Sequence, residues 1–199
     1  MAKKESTLGN MLMVLLLITF FSSALLGGVH EVTQEPREAA EVAKKTLAIR
    51  NVLPDFDNHP IEEAFTLPAS DLSGELTVYP GKSGEKISGY AVETYTMKGF
   101  SGQIRLMVGL DTEGKITQIS VLEQKETPGL GTHILDTSFR NQFLGLDPGK
   151  KALLVRKDGG DIDAITAATI SSRAFCDAVQ RAYDSWEKHA NSSENTRKP

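Results

Sequence analysis

An uncharged apolar run from Met11 to Val29 is the feature that most limits how this chain can fold. As an α-helix it would span about 28 Å, close to the hydrocarbon thickness of a bilayer, so it predicts one transmembrane helix. Lys3 and Lys4 precede the run, whereas acidic residues dominate the segment that follows it. The positive-inside tendency then places the N-terminus in the cytoplasm and the remaining chain on the extracytoplasmic side.

A cleaved signal peptide is the alternative interpretation, because the small residues within 22–28 offer a possible cleavage site. The apolar run is long for a signal core, however, and no lipid-bearing cysteine follows it. We therefore predict a retained anchor.

After the anchor, the chain is long enough for one domain with a proper core and too short for two. The order of elements indicates an α+β fold, with an antiparallel sheet and flanking helices. The predicted regions are a cytoplasmic N-terminus at 1–10, the transmembrane helix at 11–29, a juxtamembrane helix with an irregular lead-in at 30–74, one extracytoplasmic domain at 75–190 and a polar C-terminal tail at 191–199.

Local patterns place the elements of this region. A helix is expected to begin near Pro36 and to end by Pro54, and 51–74 is expected to be irregular because prolines recur in it. An amphipathic helix is predicted at about 172–188, with Ser171 or Ser172 as its N-cap. Strands are predicted at 75–79, 87–95, 103–110 and 116–122.

The clearest of these elements is a β-hairpin. Apolar residues alternate with polar or small ones from 103 to 110, which is the period of a half-buried strand. The sequence 111–114 has turn chemistry, and 116–122 returns as the partner strand. Ile116 is out of phase with Ile119 and Val121, so the return strand is expected to begin with a bulge.

Composition argues against several kinds of partner and site. A net charge of −4 and the lack of a basic stripe argue against nucleic acid as a partner. The single cysteine, Cys176, cannot form an internal disulfide or supply the ligands of a zinc site or an iron–sulfur cluster, so no metal site is predicted. Cys176 is expected to be a small packing residue beside the apolar stripe of the last helix.

The segment Asp163-Ala-Ile-Thr-Ala-Ala-Thr169 offers a secondary hydroxyl at Thr169, with a carboxylate upstream at Asp163. The small residues before Thr169 let a bulky group approach the backbone. By itself, such a run is equally consistent with an ordinary turn between a strand and a helix.

The segment resembles the flavinylation motif Asp-x-x-Ser/Thr-Gly-Ala-Thr of two related membrane complexes, in the G subunit of the Rnf electron transport complex and in the C subunit of the sodium-pumping NADH:quinone reductase. The matching residues are Asp163, Thr166, Ala168 and Thr169. The resemblance implies a phosphoester between the Thr169 hydroxyl and the phosphate of FMN, installed by a separate flavin transferase that consumes FAD. Ala167 replaces the motif's glycine. Because alanine at a positive φ would cost about 1 kcal/mol or more, Ala167 is expected to keep an ordinary backbone conformation.

The start of the last helix supports this interpretation. An FMN phosphodiester keeps one negative charge, which the free N–H groups and the positive dipole end of a helix favour. Ile170 and Arg173 follow the motif there and are candidate FMN contacts. Arg173 is either a counter-charge to the phosphate or a solvated first-turn arginine.

The loop from Glu126 to His133, Glu-Thr-Pro-Gly-Leu-Gly-Thr-His, contains glycines that let backbone approach a flat ligand closely. An ordinary Pro-Gly turn is the simpler alternative. Glu-Thr-Pro-Gly-Leu-Gly is, however, a hallmark of the same flavin domains, as is the preceding run from Gly99 to Ile116. Glu126 is expected to make structural or flavin-proximal hydrogen bonds, and His133 to lie at the surface. The candidate FMN contacts of this loop are Glu126, Thr127, Gly129, Leu130 and Gly131.

Together, the two motifs resemble those of the G subunits of Rnf-type complexes. The resemblance implies an electron-transfer flavoprotein with covalent FMN and no independent catalytic activity. The implied partners are the other membrane and iron–sulfur subunits of the complex and the flavin transferase. The C subunit of the quinone reductase is the alternative, which the shorter chain disfavours. An unmodified extracytoplasmic binding or scaffold module and a stand-alone flavin reductase also remain open.

Overall fold

The computed structural model describes residues 7–71 and 74–195. Lys3 and Lys4, on which the predicted orientation of the anchor depends, lie outside the described residues, as does the end of the predicted polar tail. The chain divides into two compact units, Met1–Ala43 and Lys44–Pro199.

A long helix, α1, spans Leu8–Val52. By length and composition it is the one described helix that could cross a membrane, and none of its most apolar window is buried. It ends before Pro54, as expected. The prediction of a separate helix beginning near Pro36 is wrong, because Pro36 lies inside α1. Good helix formers on both sides of Pro36 continue the helix past the one backbone bond that proline removes.

The second unit is built on a sheet of five strands, in the order β1-β2-β3-β4-β5, and every neighbouring pair is antiparallel. The strands are β1 (Phe65–Pro68), β2 (Glu75–Ser83), β3 (Lys86–Gly99), β4 (Gly102–Leu110) and β5 (Ile116–Glu123). The predicted α+β fold with an antiparallel sheet is confirmed. Only β1 falls in a segment that was expected to be irregular. It is an edge strand that ends at Pro68, a position where a missing N–H is tolerated.

The register of β4 and β5 confirms the predicted hairpin and its bulge. The pairing shifts between Gly109 and Leu110, so Thr117 is the extra residue at the start of β5. The Thr117 hydroxyl donates a hydrogen bond to the carbonyl oxygen of Val52 at 2.5 Å. The bulge therefore ties the hairpin to the end of α1.

The last helix, α3, spans Thr169–Asn195 and covers one face of the sheet. It extends beyond its predicted limits at both ends. Phe175 of α3 is fully buried, and its ring centroid lies 5.2 Å from that of Phe139 and 5.1 Å from that of Phe143. The two partner rings come from the connection between β5 and α3. This connection contains α2 (Thr137–Arg140) and short 3-10 helices at Gly131–Leu135, Asn141–Phe143 and Arg156–Asp158.

The end of α1 covers the opposite face of the sheet. Ala48, Ile49 and Val52 of α1 form a second buried cluster, whose sheet members include Tyr79, Ala91 and Met107. β4 is therefore buried on both faces from 106 to 110. The expectation of a half-buried strand is wrong for that stretch, because a helix packs on each side of it.

We expect Phe175→Ala to lower the free energy of unfolding by about 3–5 kcal/mol, because it leaves a cavity beside the rings of Phe139 and Phe143. Phe100→Ala is the matched control, since Phe100 is 66% exposed and its loss should cost less than about 1 kcal/mol. Urea unfolding of the detergent-solubilised chain, followed by fluorescence of Trp186, measures both. Equal losses for the two variants would contradict this account of the core.

Candidate functional site

The motif segment 163–168 has no regular structure and leads directly into α3. Ser172 braces it from within the helix. The Ser172 hydroxyl accepts a hydrogen bond from the N–H of Ile165 at 2.9 Å and donates one to the carbonyl oxygen of Ala168 at 3.0 Å. The prediction of Ser171 or Ser172 as N-cap is wrong, because α3 already begins at Thr169 and both serines lie in its first turn.

Ala167 has φ = +62° and is the one non-glycine residue with a positive φ in the described part of the chain. The expectation of an ordinary backbone at Ala167 is therefore wrong. Alanine in this left-handed region costs about 1–2 kcal/mol, because its Cβ crowds the next carbonyl oxygen. A hydrogen bond from the N–H of Ala168 to the carbonyl oxygen of Ile165, at 3.0 Å, helps to hold this turn. The chain thus keeps a glycine-type geometry with an alanine side chain.

The motif and the glycine loop meet in a cleft of ≈ 280 Å³ at the start of α3. Three parts of the chain line it: Phe100 between β3 and β4, Glu126, Thr127, Leu130 and Gly131 of the loop, and residues 167–171. Most of the residues predicted from the sequence therefore come together here. Phe100 was not singled out, although it lies in the run 99–116 that carries part of the resemblance.

Thr169 presents a half-buried side chain in this cleft, and its hydroxyl has no hydrogen-bond partner among the described residues. It is the first residue of α3, so the N–H groups of Thr169, Ile170 and Ser171 lack intrahelical acceptors. The first helical bond runs from the N–H of Ser172 to the carbonyl oxygen of Ala168 at 3.0 Å. The cleft thus offers an unengaged hydroxyl beside N–H donors at the positive end of a helix.

Glu126 is buried in the wall of the cleft, with 4% of its surface exposed. Its Oε1 accepts a hydrogen bond from the N–H of Ser101 at 3.1 Å, and its Oε2 accepts one from the hydroxyl of Ser171 at 2.6 Å. Glu126 therefore makes the structural hydrogen bonds expected of it. These bonds link the turn between β3 and β4, the glycine loop and the first turn of α3.

Asp163, Thr166 and Gly129 lie outside this cleft, in a neighbouring open depression of ≈ 580 Å³. Gln142 holds both backbone polar groups of Asp163. Its Oε1 accepts from the N–H of Asp163 at 2.7 Å, and its Nε2 donates to the carbonyl oxygen at 3.3 Å. The exposed carboxylate of Asp163 pairs with Arg156 at 3.1 Å. Sequence reasoning missed Gln142, because no local pattern marks a side chain that binds backbone distant in sequence.

Arg173 is engaged by a carboxylate of this chain. Its guanidinium binds the carboxylate of Asp158 through Nε and Nη2, each at 2.7 Å. Hydrogen bonding to Arg173 holds the pKa of Asp158 below its usual range. The pair lines a second cleft of ≈ 370 Å³, which shares Ile170 with the first. The predicted contact of Arg173 with a phosphate stays a prediction.

His133 and Cys176 lie where the sequence analysis expects them. His133 is exposed, and its Nδ1 lies 2.8 Å from Oδ2 of Asp136. Cys176 is in the core, and burial raises the pKa of its thiol to about 12, which leaves it protonated and unreactive at neutral pH. Within 7–71 and 74–195, no group of His, Cys, Asp and Glu side chains is arranged to hold a metal ion.

Residues 99–184 match the family of FMN-binding domains. This range begins at the turn between β3 and β4 and continues into α3, so it includes every residue that lines the cleft at Thr169.

Curated relatives resemble the chain over most of its length. The G subunit of the ion-translocating oxidoreductase complex of Haemophilus influenzae (strain PittEE) is 32% identical over 173 residues, 83% of each chain. The corresponding protein of Stutzerimonas stutzeri, which has the same name, is 34% identical over 183 residues, 87% of this chain and 79% of that one. The G subunit of the Na(+)-translocating ferredoxin:NAD(+) oxidoreductase complex of Acetobacterium woodii is 31% identical over 179 residues, 84% of this chain and 86% of that one.

Among solved structures, the crystal structure of Shewanella oneidensis NqrC shares the fold, with a TM-score of 0.51, 20% sequence identity and 74% of each chain covered. The identity and coverage of the curated relatives confirm the family expected from the two motifs. The chain therefore belongs to the family of G subunits of ion-translocating, Rnf-type oxidoreductase complexes, and it contains an FMN-binding domain.

Proposed function

We propose that this chain carries FMN covalently, as a phosphoester on Thr169, and passes electrons as one of the subunits of an ion-translocating oxidoreductase complex. The observation that carries the proposal is the unengaged hydroxyl of Thr169, which lies at the start of α3 in a cleft shared with the glycine loop. The names of the relatives support membership of such a complex, and the match to FMN-binding domains supports FMN as the cofactor.

The residues of the cleft suit the parts of FMN. The free N–H groups and the dipole of α3 favour the negative charge of a phosphodiester. Phe100, Leu130 and Ile170, which are 66%, 42% and 48% exposed, offer apolar contacts to an isoalloxazine ring. The cleft, at ≈ 280 Å³, is smaller than most sites that enclose a ligand of this size, about 300–1,000 Å³. Part of the flavin would therefore stay open to an electron-transfer partner.

Attachment requires a base to accept the hydroxyl proton and a donor of the FMN group. This chain does not provide either by itself. Thr169 Oγ would form a bond to the phosphorus of the FMN half of FAD, while the bond from that phosphorus to the bridging oxygen breaks and AMP leaves. The hydroxyl proton passes to a base. Since no base is hydrogen-bonded to Thr169 among the described residues, a separate flavin transferase is the proposed catalyst.

Once bound, FMN supplies the redox chemistry, and the chain supplies binding, orientation and electrostatics. We place the flavin domain on the extracytoplasmic side, with α1 as a single membrane anchor and the N-terminus in the cytoplasm. Free FMN is scarce outside the cytoplasm, so a covalent bond prevents loss of the cofactor by mass action. The proposed partners are the other membrane and iron–sulfur subunits of the complex.

Thr169→Val should abolish covalent flavin, because valine fills similar space but has no hydroxyl. We expect loss of both the in-gel fluorescence after denaturing electrophoresis and the FMN increment in intact mass when the chain is co-expressed with a flavin transferase. Thr137→Val, at an exposed position in α2, is the matched control and should be labelled as the wild type is. A fluorescent Thr169→Val band would overturn the assignment.

Thr166→Ala should slow flavinylation without preventing it, because Thr166 is exposed and lies outside the cleft that holds Thr169. The initial rate of FMN addition by a purified transferase, read by intact mass, measures the effect. The free energy of unfolding should change by less than about 0.5 kcal/mol, so a slower rate would reflect recognition. A wild-type rate would mean that Thr166 is only a turn residue.

The proposed orientation predicts which part of the chain a protease reaches. Protease added to right-side-out membrane vesicles should digest the chain beyond Val29 and spare the leader before Met11. Immunoblots against an epitope tag at each end of the chain would show which of the two ends the protease removes. Protection of the segment 163–169 in intact vesicles, with digestion only after detergent, would reverse the orientation.

A further inference from the structure

We propose that Glu126 sets the reduction potential of the flavin, because its buried negative charge in the wall of the cleft opposes the addition of electrons. This inference rests on the proposed function, since it requires FMN at Thr169. It assigns to Glu126 an electrostatic effect on the cofactor in addition to its structural hydrogen bonds.

Both oxygens of the Glu126 carboxyl group have a hydrogen-bond partner. The N–H of Ser101 can only donate, and it donates to Oε1. The hydroxyl of Ser171 donates to Oε2 at 2.6 Å, within the range of about 2.5–2.7 Å that is typical of a hydroxyl bound to a carboxylate. Hydrogen-bond donors at both oxygens of a carboxyl group favour the carboxylate over the neutral acid.

No cation neutralises this charge among the residues that the structure describes. Lys125, the next residue in the chain, pairs with Glu123 at 3.8 Å. Arg173, in the first turns of α3, is bound to Asp158 at 2.7 Å. The negative charge of Glu126 in the cleft wall is therefore offset by the dipoles of its two hydrogen-bond donors and not by a positive charge. A charge in such a poorly solvated position acts more strongly on a neighbouring group than the same charge in water.

Two glycines, Gly99 and Gly131, lie against the carboxyl group of Glu126. A Cβ at Gly131 would lie 2.5 Å from Oε2 of Glu126, and a Cβ at Gly99 would lie 2.7 Å from Oε1. A side chain at Gly131 would therefore collide with both Glu126 and Ser171. The chain is shaped to accommodate a carboxylate at this point in the cleft wall.

The charge itself is not needed for these contacts. A glutamine at 126 would accept from the N–H of Ser101 through Oε1 and would donate to the hydroxyl of Ser171 through Nε2. Burying an ion without a counter-charge is also unfavourable for folding. What the carboxylate adds to the neutral amide is an electric field in the cleft. Reduction adds negative charge to the flavin, and this field makes that addition less favourable.

The experiment uses the full-length, flavinylated protein in detergent, with the flavin absorbance followed through a redox titration. Glu126→Gln should raise the reduced-to-oxidised ratio at a fixed solution potential at least tenfold, about 30 mV for a two-electron couple. Glu123→Gln is the matched control, because it removes the same charge from a residue outside the cleft whose side chain is 42% exposed. The control should change the ratio less than twofold.

Ser171→Ala distinguishes an effect of the Glu126 charge on the potential from an effect of disordering the site. This variant removes a dipole that partly offsets the carboxylate but keeps the charge, so the reduced-to-oxidised ratio should fall below that of the wild type. Opposite shifts in Glu126→Gln and Ser171→Ala support the proposal. Shifts of the same sign, or a Glu126→Gln ratio within twofold of the wild type, overturn it.

In-gel fluorescence of the same samples distinguishes failure of this inference from failure of the proposed function. A wild-type chain without covalent flavin would refute the proposed function. A flavinylated wild type whose potential is insensitive to Glu126→Gln would refute only the role of Glu126. If Glu126→Gln is not flavinylated, Ser171→Ala decides alone, and the absence of a downward shift there overturns the proposal.

Discussion

Burial of the sheet between two helices is the constraint on which the rest of this structure depends. α3 packs on one face and the end of α1 on the other, so β4 is buried on both faces from 106 to 110. Each large apolar side chain buried in these layers contributes about 1.5–3 kcal/mol, whereas a typical hydrogen bond contributes about 1 kcal/mol net. The packing of Phe175 and its neighbours therefore fixes the axis of α3, and with it the position of Thr169 at the start of the helix.

Side chains, rather than regular secondary structure, give the site its local shape. The hydroxyl of Ser172 holds the turn before α3, the amide of Gln142 holds Asp163, and the carboxylate of Glu126 links the glycine loop to Ser171. Individually these bonds are weak, but each satisfies a backbone or buried polar group that would otherwise be left without a partner. The site therefore has two parts with different roles. The start of α3 presents the hydroxyl, and the loop and the turn between β3 and β4 form the surrounding wall.

Local signals in the sequence predicted the four long strands, the hairpin bulge and the existence of α3, because alternation, turn residues and helical spacing act over a few residues. The sequence did not predict the continuation of α1 through Pro36 or the burial of β4 on both faces, since these depend on neighbouring elements. The site shows the same division. The two motifs located the cleft, whereas Phe100, Gln142 and the role of Ser172 depend on contacts between segments far apart in sequence.

The backbone at Ala167 has a consequence for how the motif before α3 can be recognised in other chains. A position with φ = +62° is easiest for glycine, and asparagine and aspartate also adopt it more readily than other residues. Alanine at this point shows that the rest of the turn is sufficient to enforce the conformation without glycine. The turn therefore requires a backbone angle rather than one residue type. A definition of the site by a left-handed residue two places before the first residue of the helix would include chains that a fixed glycine pattern excludes.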